Sequence, residues 1–418
     1  MKDVVYIYDH HLAKSTDNIP HIAGRSRMTH ELITAYGLTQ FMECKPSKLA
    51  TREELLKFHS EDYINFLQCA ADTVERTCGG SGDDDDEEDA SFRSQNSQFS
   101  NESTSSMKNF GILSTSLTEE SLDDYGLGYD CPVFRNMGEF ASRIAGGTIA
   151  AAESLVEGAK VAINWCGGWH HAQRSEASGF CYVNDIVVGI HELQKKFKYI
   201  LYIDLDAHHG DGVENAFAFS DKVMTLSFHH FESGYFPGTG RLEDVGNGRG
   251  KFCSLNVPLK AAIIDQQFTV LFDSILNNAI KVFQPEAFVV QCGADCLARD
   301  PLGAFNLTEG GIVRCLHTIL SCSNIPTLLL GGGGYNIANA SRLWTSLTAA
   351  VLNKILTNEI PDNKYFLRYG PDFELCIQPS LRKDENDLEY INDVIIKILG
   401  YLTTLKKRKE KVSSNVQS

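Results

Sequence analysis

Acidic and histidine side chains are concentrated in one short stretch of the chain, YIDLDAHHGDG at 202–212. This stretch ends a run of apolar residues that predicts a buried strand, where charge is costly unless something compensates for it. Residues two apart on an extended segment face the same side, so Asp204, Asp206 and His208 are expected to point together. An Asp/His pair at this spacing, joined by an acid from a distant strand, suits a divalent metal ion. Asp295, in the sequence GAD, is the predicted third ligand.

Such a metal site would have a catalytic rather than a structural role. Two carboxylates offset a doubly charged ion, and three protein ligands leave a coordination position open for water or substrate. The alternative is a cluster of strand-end acids that caps neighbouring helices without binding a metal. The acid in GAD and the paired histidines described next weigh against that alternative.

Two adjacent histidines, His170 and His171, follow a Gly-Gly turn in the sequence GGWHH. Each ring needs a partner to fix its tautomer, and Asp204 and Asp211 are spare acids that could provide one. A His–Asp pair raises the basicity of the imidazole and orients it for proton transfer. The histidines therefore predict general acid–base chemistry, against the alternative of two satisfied structural side chains.

Aromatic residues near the glycine-rich turns suggest the rest of a site. Tyr335 follows four glycines in GGGGY, and its phenol could donate a hydrogen bond to a developing oxyanion beside the metal. The alternative for Tyr335 is an aromatic residue packed beside a glycine-rich turn. Phe180 and Phe236 could wall an apolar channel for a long aliphatic stem such as that of lysine, although isolated phenylalanines are more often core residues.

The elements that position these residues alternate along the chain. Short apolar runs predict strands at 4–8, 161–165, 198–206, 223–228, 287–295 and 327–334. Longer amphipathic runs predict helices at 140–158, 184–197, 266–283 and 310–321. This alternation predicts a mostly parallel sheet with helices on both faces. Each polar cluster lies at the carboxyl end of a predicted strand, where open α/β sheets bind their ligands, so the four clusters should converge on one site.

Composition limits the partners that the protein can have. The net charge is −16, of which seven negative charges come from DDDDEED at 83–89 and leave −9 for the rest. Direct nucleic-acid binding is not expected, because it needs a basic surface; a Lys/Arg-rich polypeptide would be attracted instead. No apolar run reaches the roughly 20 residues of a membrane span, and the early Asp and His argue against a signal peptide. The cysteines are therefore expected to be reduced thiols of a nuclear or cytoplasmic protein. The sequence KKRKEK at 406–411 is a candidate nuclear signal.

Five motifs match one known family in order and character: GGWHHAQRSEASGFCYVND, YIDLDAHHGDG, GYFPGTG, QCGAD and LGGGGYN. The chain resembles the class I zinc-dependent histone deacetylases over nearly its whole length. The resemblance implies the α/β fold of arginases and deacetylases. It also implies one catalytic domain over residues 1–400. An acidic, Ser-rich insertion at 79–121, which is foreign to the family pattern and which its composition predicts to be disordered, interrupts this domain, and a short basic tail follows at 401–418.

The resemblance also implies a role for each site residue. The metal ligands would be Asp206, His208 and Asp295, binding zinc or, alternatively, ferrous iron. The catalytic residues would be Tyr335, which polarises the acetyl carbonyl, and the histidine pair with its acids: His170 with Asp204, and His171 with Asp211. The substrate-binding residues would be Asp130, Gly179, Phe180 and Phe236, with Arg25 near an internal exit cavity.

Potassium ions held largely by backbone carbonyls are a further implication of the resemblance. One site would involve Asp204, Asp206, His208, Ser227 and Phe228, and the other Phe217, Ser220, Val223 and Cys253. Family members that bind corepressors carry an arginine, which helps to hold an inositol phosphate, where this chain has Pro301. Its absence predicts a deacetylase that does not need such a complex.

The expected activity is therefore metal-dependent removal of acetyl, or related acyl, groups from lysine side chains of histone tails and other proteins, with a role in chromatin and transcription regulation. An acetylpolyamine or small-amide deacetylase of the same fold is one alternative, which the lysine channel and Asp130 oppose. A dinuclear manganese hydrolase is another, opposed by the single three-ligand set. A catalytically silent acetyl-lysine-binding scaffold is the third, opposed by the retention of Tyr335 and all three ligands.

Overall fold

Eight parallel strands form one sheet in a computed structural model of the chain, which describes residues 3–68, 122–322 and 325–417. The acidic insertion predicted at 79–121 lies outside the described residues. The strands are β1 (Val4–Ile7), β2 (Glu43–Lys45), β3 (Val161–Asn164), β4 (Ile200–Asp204), β5 (Val223–His230), β6 (Ser254–Leu259), β7 (Ala287–Gln291) and β8 (Thr327–Leu330). Their order across the sheet is β2-β1-β3-β8-β7-β4-β5-β6. The predicted parallel α/β fold is confirmed.

Two strands were not predicted because their sequences lack the expected pattern. β2 is only three residues long and none of them is buried. β6 contains Pro258, which cannot donate a hydrogen bond to a neighbouring strand and is therefore best tolerated at an edge. Both strands do lie at the two edges of the sheet.

Helices cover the sheet on both faces. They are α1 (His10–Thr16), α2 (Arg25–Ala35), α3 (Arg52–Leu55), α4 (Met137–Val156), α5 (Asp185–Leu193), α6 (Asp211–Phe217), α7 (Asp265–Phe283), α8 (Glu309–Leu320), α9 (Ile337–Val351) and α10 (Leu388–Gln417). Successive residues of β4 separate into two cores: Ile200 and Tyr202 pack with α4 and α5, whereas Leu201 and Ile203 pack with α7, α8 and α9. Burial on both faces explains why these strands are continuously apolar.

The chain end differs from the predicted tail. No break occurs at residue 401, because α10 runs through it and buries Leu402 and Leu405. Arg408 donates to the carbonyls of Lys251 and Gly248. Lys409 donates to the last carbonyls of α7, where a cation is favoured by the helix dipole. Part of the basic KKRKEK stretch is thus packed against the domain rather than forming a separate segment.

The strand order decides where the polar clusters meet. β3, β8, β7 and β4 are consecutive neighbours in the middle of the sheet, although they lie far apart in the sequence. Because all four are parallel, the segments that follow them emerge at the same edge. Within the described part of the chain, no helix is long and apolar enough to cross a membrane.

Candidate active site

The predicted metal ligands form one buried cluster. Asp206 and His208 follow β4, and Asp295 lies in the short turn of helix after β7. Nδ1 of His208 lies 3.1 Å from Oδ1 of Asp206 and 3.0 Å from Oδ2 of Asp295. One ligand atom from each residue can be chosen so that all lie within 4.8 Å of one another. The geometry brings the predicted triad together.

The electrostatics of this cluster fit a divalent cation. Burial opposes protonation of His208, but its hydrogen bonds with Asp206 and Asp295 outweigh burial and raise its pKa to about 10. Burial raises the pKa of Asp295, and the Asp206 carboxylate raises it further. The two carboxylates thus favour positive charge beside the imidazole, as a cation site requires. The three donors are also of the kind that divalent ions bind.

Neighbouring groups fix the orientation of Asp206. Its Oδ2 accepts hydrogen bonds from Nε2 of Gln291 at 2.8 Å and from the backbone N–H of Gly333 at 2.9 Å. A Cβ on Gly333 would come within 2.0 Å of Asp295, so only glycine allows the backbone this close. Gln291 was not singled out in the sequence, although a polar residue at the end of the apolar run FVVQ was a signal that could have identified it.

Two His–Asp pairs stand beside the triad, as the sequence predicted. Nδ1 of His170 is 2.8 Å from Oδ2 of Asp204, and Nδ1 of His171 is 2.8 Å from Oδ1 of Asp211. The imidazole rings of the two histidines are 3.9 Å apart between centroids. In each pair the carboxylate accepts a hydrogen bond from the Nδ1–H group. This contact directs Nε2 away from the acid and into the site.

The two histidines differ in their affinity for a second proton. Burial lowers the pKa of His170, but the negative charges of Asp204 and Asp206 outweigh burial and raise it to about 9. Burial lowers the pKa of His171 to about 4, and the charge of His170 contributes to this shift while Asp211 opposes it. The raised pKa favours a charged His170 ring at neutral pH, and the lowered pKa favours a neutral His171 ring that can act as a base.

The loop that carries both histidines depends on a residue that sequence reasoning missed. The carboxylate of Asp185, at the start of α5, accepts from the backbone N–H groups of Gly168 at 3.0 Å and Trp169 at 2.8 Å. It also accepts from the hydroxyl of Thr148 at 2.5 Å. Only the position of Asp185 at the N-terminus of a predicted helix hinted at this role.

Tyr335 is held at the carboxyl end of β8 by its backbone. Its N–H donates to Oδ2 of Asp300 at 2.7 Å, a second contact that the sequence did not reveal. Burial raises the pKa of the Tyr335 phenol well above its usual value, and Asp295 and Asp206 raise it further. The phenol therefore stays protonated and remains a hydrogen-bond donor. Arg25 lies nearby and donates from Nη1 to the carbonyl of Gly334 at 2.9 Å.

Gly179 and Phe180 line a passage to this cluster, and the other two predicted substrate-binding residues, Asp130 and Phe236, adjoin it through contacts with Gly179 and His171. The Phe236 ring lies 4.8 Å from that of His171, and the Phe180 ring lies 5.8 Å from that of Tyr335. Gly179 has a φ of 55°, and a Cβ there would come within 2.6 Å of His171, so a larger residue would obstruct the passage. Its N–H donates to Oδ2 of Asp130 at 2.7 Å.

The pocket that forms this passage also includes His170, His171, Tyr335 and, from the N-terminal part of the chain, Ile22 and Arg25 in its wall. Arg25 therefore lines the same pocket as the two histidines and Tyr335. The residues predicted for potassium lie on the side of the sheet that ends at β6: Ser227 and Phe228 are in β5, while Phe217 ends α6 and Cys253 precedes β6.

Comparisons with known proteins agree on one family. The model of the histone deacetylase domain matches residues 20–351. Histone deacetylase 8 of Danio rerio is 42% identical over 402 residues, which cover 96% of this chain and 95% of the relative. Histone deacetylase 8 of Xenopus tropicalis is 41% identical, with 95% and 97% covered. Histone deacetylase 1 of Homo sapiens is also 41% identical, with 94% of this chain and 73% of the relative covered. The sequences YGLGYDCP and GGGGYNIANASRLWT had indicated a likeness to histone deacetylase 8 within the family.

Proposed function

The chain belongs to the histone deacetylase family, and from that membership we propose that it hydrolyses the amide of acetyl-lysine, and of related acyl-lysines, in histones and other proteins. The observation that carries this proposal is the convergence of a metal triad, two His–Asp pairs and Tyr335 at the inner end of one aromatic-walled passage. Metal-dependent hydrolysis needs these components: a site for the ion, a base for water and a donor for the oxyanion.

The proposed metal is zinc, with ferrous iron as the alternative, held by Asp206, His208 and Asp295. When bound, such an ion polarises the acyl carbonyl and makes water more acidic. Nε2 of His171 accepts a proton from the attacking water, because this ring is neutral at the working pH. The same nitrogen then returns a proton to the leaving lysine amine.

The other polar groups stabilise the charge that develops in the reaction or hold the catalytic rings in position. The charged His170 ring, 3.9 Å from Oδ2 of Asp206 through its Nε2, stabilises negative charge that develops in the site. The phenol of Tyr335 donates to the oxyanion formed from the acyl oxygen. Asp204 and Asp211 hold the rings of His170 and His171 in orientation through the two 2.8 Å contacts.

The passage suits a lysine side chain. Phe180 and Phe236 would flank the aliphatic stem, and Gly179 would leave space for it between them. We propose that Asp130, which already fixes Gly179, also accepts a hydrogen bond from the substrate backbone at the rim. A small acylated polyamine has no peptide backbone and could not form this contact.

The proposal extends to ions, partners and location. Potassium would bind at the two carbonyl-rich sites named above, beside β5 and near the α6–β5 turn. Pro301 stands where inositol-phosphate-dependent members have an arginine, which supports activity without such a corepressor. We propose both the nucleus and the cytoplasm as locations, since histone tails are nuclear whereas other acetylated proteins are found in both.

Turnover of acyl-lysine peptides with different acyl lengths tests the function, with His171→Ala as the inactive control. We expect hydrolysis of the acetyl peptide, and none by the control above background. Faster turnover of acetylspermidine than of the peptide would show a polyamine deacetylase instead. Binding without turnover by fully metallated protein would show a silent scaffold. Two equivalents of bound manganese would show a dinuclear hydrolase.

A further inference from the structure

The loop at 231–240 carries two aromatic rings into the candidate site. The Tyr235 ring stacks on His208 at 5.0 Å between centroids with an angle of 5°, and the Phe236 ring contacts His171. Most of the loop is exposed, and Gly234, Gly238 and Gly240 adopt positive φ values of 85°, 80° and 86°. A chain segment with this much glycine gains little rigidity from its own backbone. Its fixed position must therefore come from contacts with its surroundings.

His209 makes one of these contacts, and it is the residue of YIDLDAHHGDG to which no catalytic role was assigned. Its Nδ1 lies 2.8 Å from Oγ1 of Thr239, in the second half of the loop. Its Nε2 lies 3.3 Å from Oε2 of Glu214, an oxygen that also accepts from Nδ2 of Asn256 at 2.7 Å. The Glu214 carboxylate can only accept, so the Nε2–H group of His209 donates to it, and Nδ1 forms a hydrogen bond with the Thr239 hydroxyl.

His229 holds the next residue of the loop. Its Nε2 donates to the carbonyl of Gly240 at 2.8 Å, and its Nδ1 is 2.9 Å from Oγ of Ser227. The rings of His209 and His229 are 4.6 Å apart. A Cβ on Gly240 would lie 2.4 Å from His229 and 2.7 Å from His209, so the loop backbone passes tightly against both rings. The two histidines anchor the loop where it rejoins the domain.

We propose that His209 is a positioning residue that acts through Thr239 to hold Phe236 against His171, and so sets the affinity of the passage for the acyl-lysine stem. His209 comes directly after the metal ligand His208, so one segment of chain supplies both a ligand and the anchor of the passage wall. Loosening this anchor costs substrate binding rather than proton transfer, because it leaves the His171–Asp211 pair in place. The inference rests on the proposed function, since it concerns the same passage.

Thr239→Val tests the anchor without altering a residue of the catalytic machinery. Valine keeps the shape of the side chain but cannot form the hydrogen bond with Nδ1 of His209. Because Thr239 is exposed, the substitution should not impair folding. We expect KM for an acetyl-lysine peptide to rise by about threefold to tenfold, the range for loss of one hydrogen bond, with kcat nearly unchanged. Thr239→Ser, which restores the hydroxyl, should return KM towards the wild-type value. Thr403→Val on α10 is the matched control, because among the described residues the Thr403 hydroxyl bonds to the carbonyl of Leu399 alone.

A double-mutant cycle with Phe236→Ala decides whether Thr239 acts through Phe236. If it does, Thr239→Val raises KM in the wild-type background but adds nothing to Phe236→Ala. Losses that multiply in the double mutant would overturn the proposal, as would a KM for Thr239→Val equal to that of Thr403→Val.

Amide hydrogen exchange of residues 231–240 separates failure of this inference from failure of the proposed function. Faster exchange in Thr239→Val than in Thr403→Val is expected whatever the substrate is, because it reports the anchor alone. Unchanged exchange would overturn the anchor even in an active enzyme. If wild-type protein hydrolyses no acyl-lysine peptide while Thr239→Val still exchanges faster than Thr403→Val, the proposed function is refuted, and with it the effect on substrate affinity.

Discussion

The two His–Asp pairs of the site have the same local geometry and opposite proton affinities. His170 and His171 are adjacent in the sequence, and each places Nδ1 at 2.8 Å from a carboxylate oxygen. Yet the pKa of His170 is raised to about 9, whereas that of His171 is lowered to about 4.

The neighbours of each pair explain the difference. His170 faces a second acid, Asp206, in addition to its partner Asp204, and both charges favour the protonated ring. Burial destabilises the protonated form of His171, and so does the positive charge of His170 beside it. A hydrogen bond to an acid therefore does not by itself make a histidine a base or an acid. The charges that surround the pair assign the roles.

The largest expected effect separates the two pairs directly. His171→Ala removes the base, so we expect kcat to fall by roughly 100- to 10,000-fold. His170→Ala removes a charge but leaves the base, so its loss of kcat should be smaller. Steady-state turnover of an acetyl-lysine peptide by both variants, at equal metal content, checks this order. The assignment is wrong if His170→Ala is the more damaging change.

The second largest effect is expected from Tyr335, a catalytic group that belongs to neither pair. Tyr335→Phe keeps the ring and both His–Asp pairs but removes the phenol, and loss of an oxyanion donor costs roughly 100- to 1000-fold in kcat. We expect the variant to fold and to bind metal, as judged by its melting temperature and metal content. Wild-type turnover by Tyr335→Phe would contradict the role given to the phenol.

A third experiment tests the cluster that distinguishes His170 from His171. Asp206 belongs both to the triad and to the surroundings of His170. Zinc at about 100 times its Kd should stabilise the fold by about 2.7 kcal/mol, because it binds only the folded state. Thermal unfolding with and without a chelator measures this gain. Asp206→Asn should abolish most of it, whereas Asp211→Asn should retain it.

The smallest effect is a shift in the pH dependence of activity. The raised pKa of His170 means that its charge is present at neutral pH and is lost as pH rises through about 9, so activity should fall on the alkaline side. Asp204→Asn removes a charge that raises this pKa, so the alkaline limb should move to lower pH. Asp211→Asn removes a charge that raises the pKa of His171, so the acid limb should move to lower pH. Asp211 also raises the pKa of His170, but less than Asp204 does, so the alkaline limb should move less than it does in Asp204→Asn. Profiles of kcat/KM against pH would refute the comparison if Asp211→Asn left the acid limb unmoved or moved the alkaline limb as far as Asp204→Asn.

The sequence predicted the triad and both pairs because their residues follow recognisable strands. Continuous apolar runs reveal strands that are buried on both faces, and polar residues at their ends are conspicuous there. The same reasoning missed Asp185, Gln291 and Asp300, whose carboxylates or amide support loops from a distance. Nothing in local sequence shows which backbone N–H a buried side chain will meet.

The chain end shows the same limit. Lys and Arg residues after 401 have the composition of a solvated tail, and the sequence alone suggested one. In the structure Leu402 and Leu405 pack into the core and Arg408 bonds to a distant loop. An amphipathic pattern diluted by charges was too weak a signal to predict this docking.

The sequence by itself determined the fold class, the edge of the sheet that carries the chemistry and the residue types gathered there, because apolar periodicity and strand ends are local properties. Only the tertiary structure decided that β3, β8, β7 and β4 are neighbours, that Asp206 lies beside His170 and that His209 reaches Thr239. Those contacts join residues that are distant in sequence, and electrostatic and hydrogen-bond energies depend on distance in space. The fold therefore assigned the charged role to one histidine and the neutral role to its neighbour.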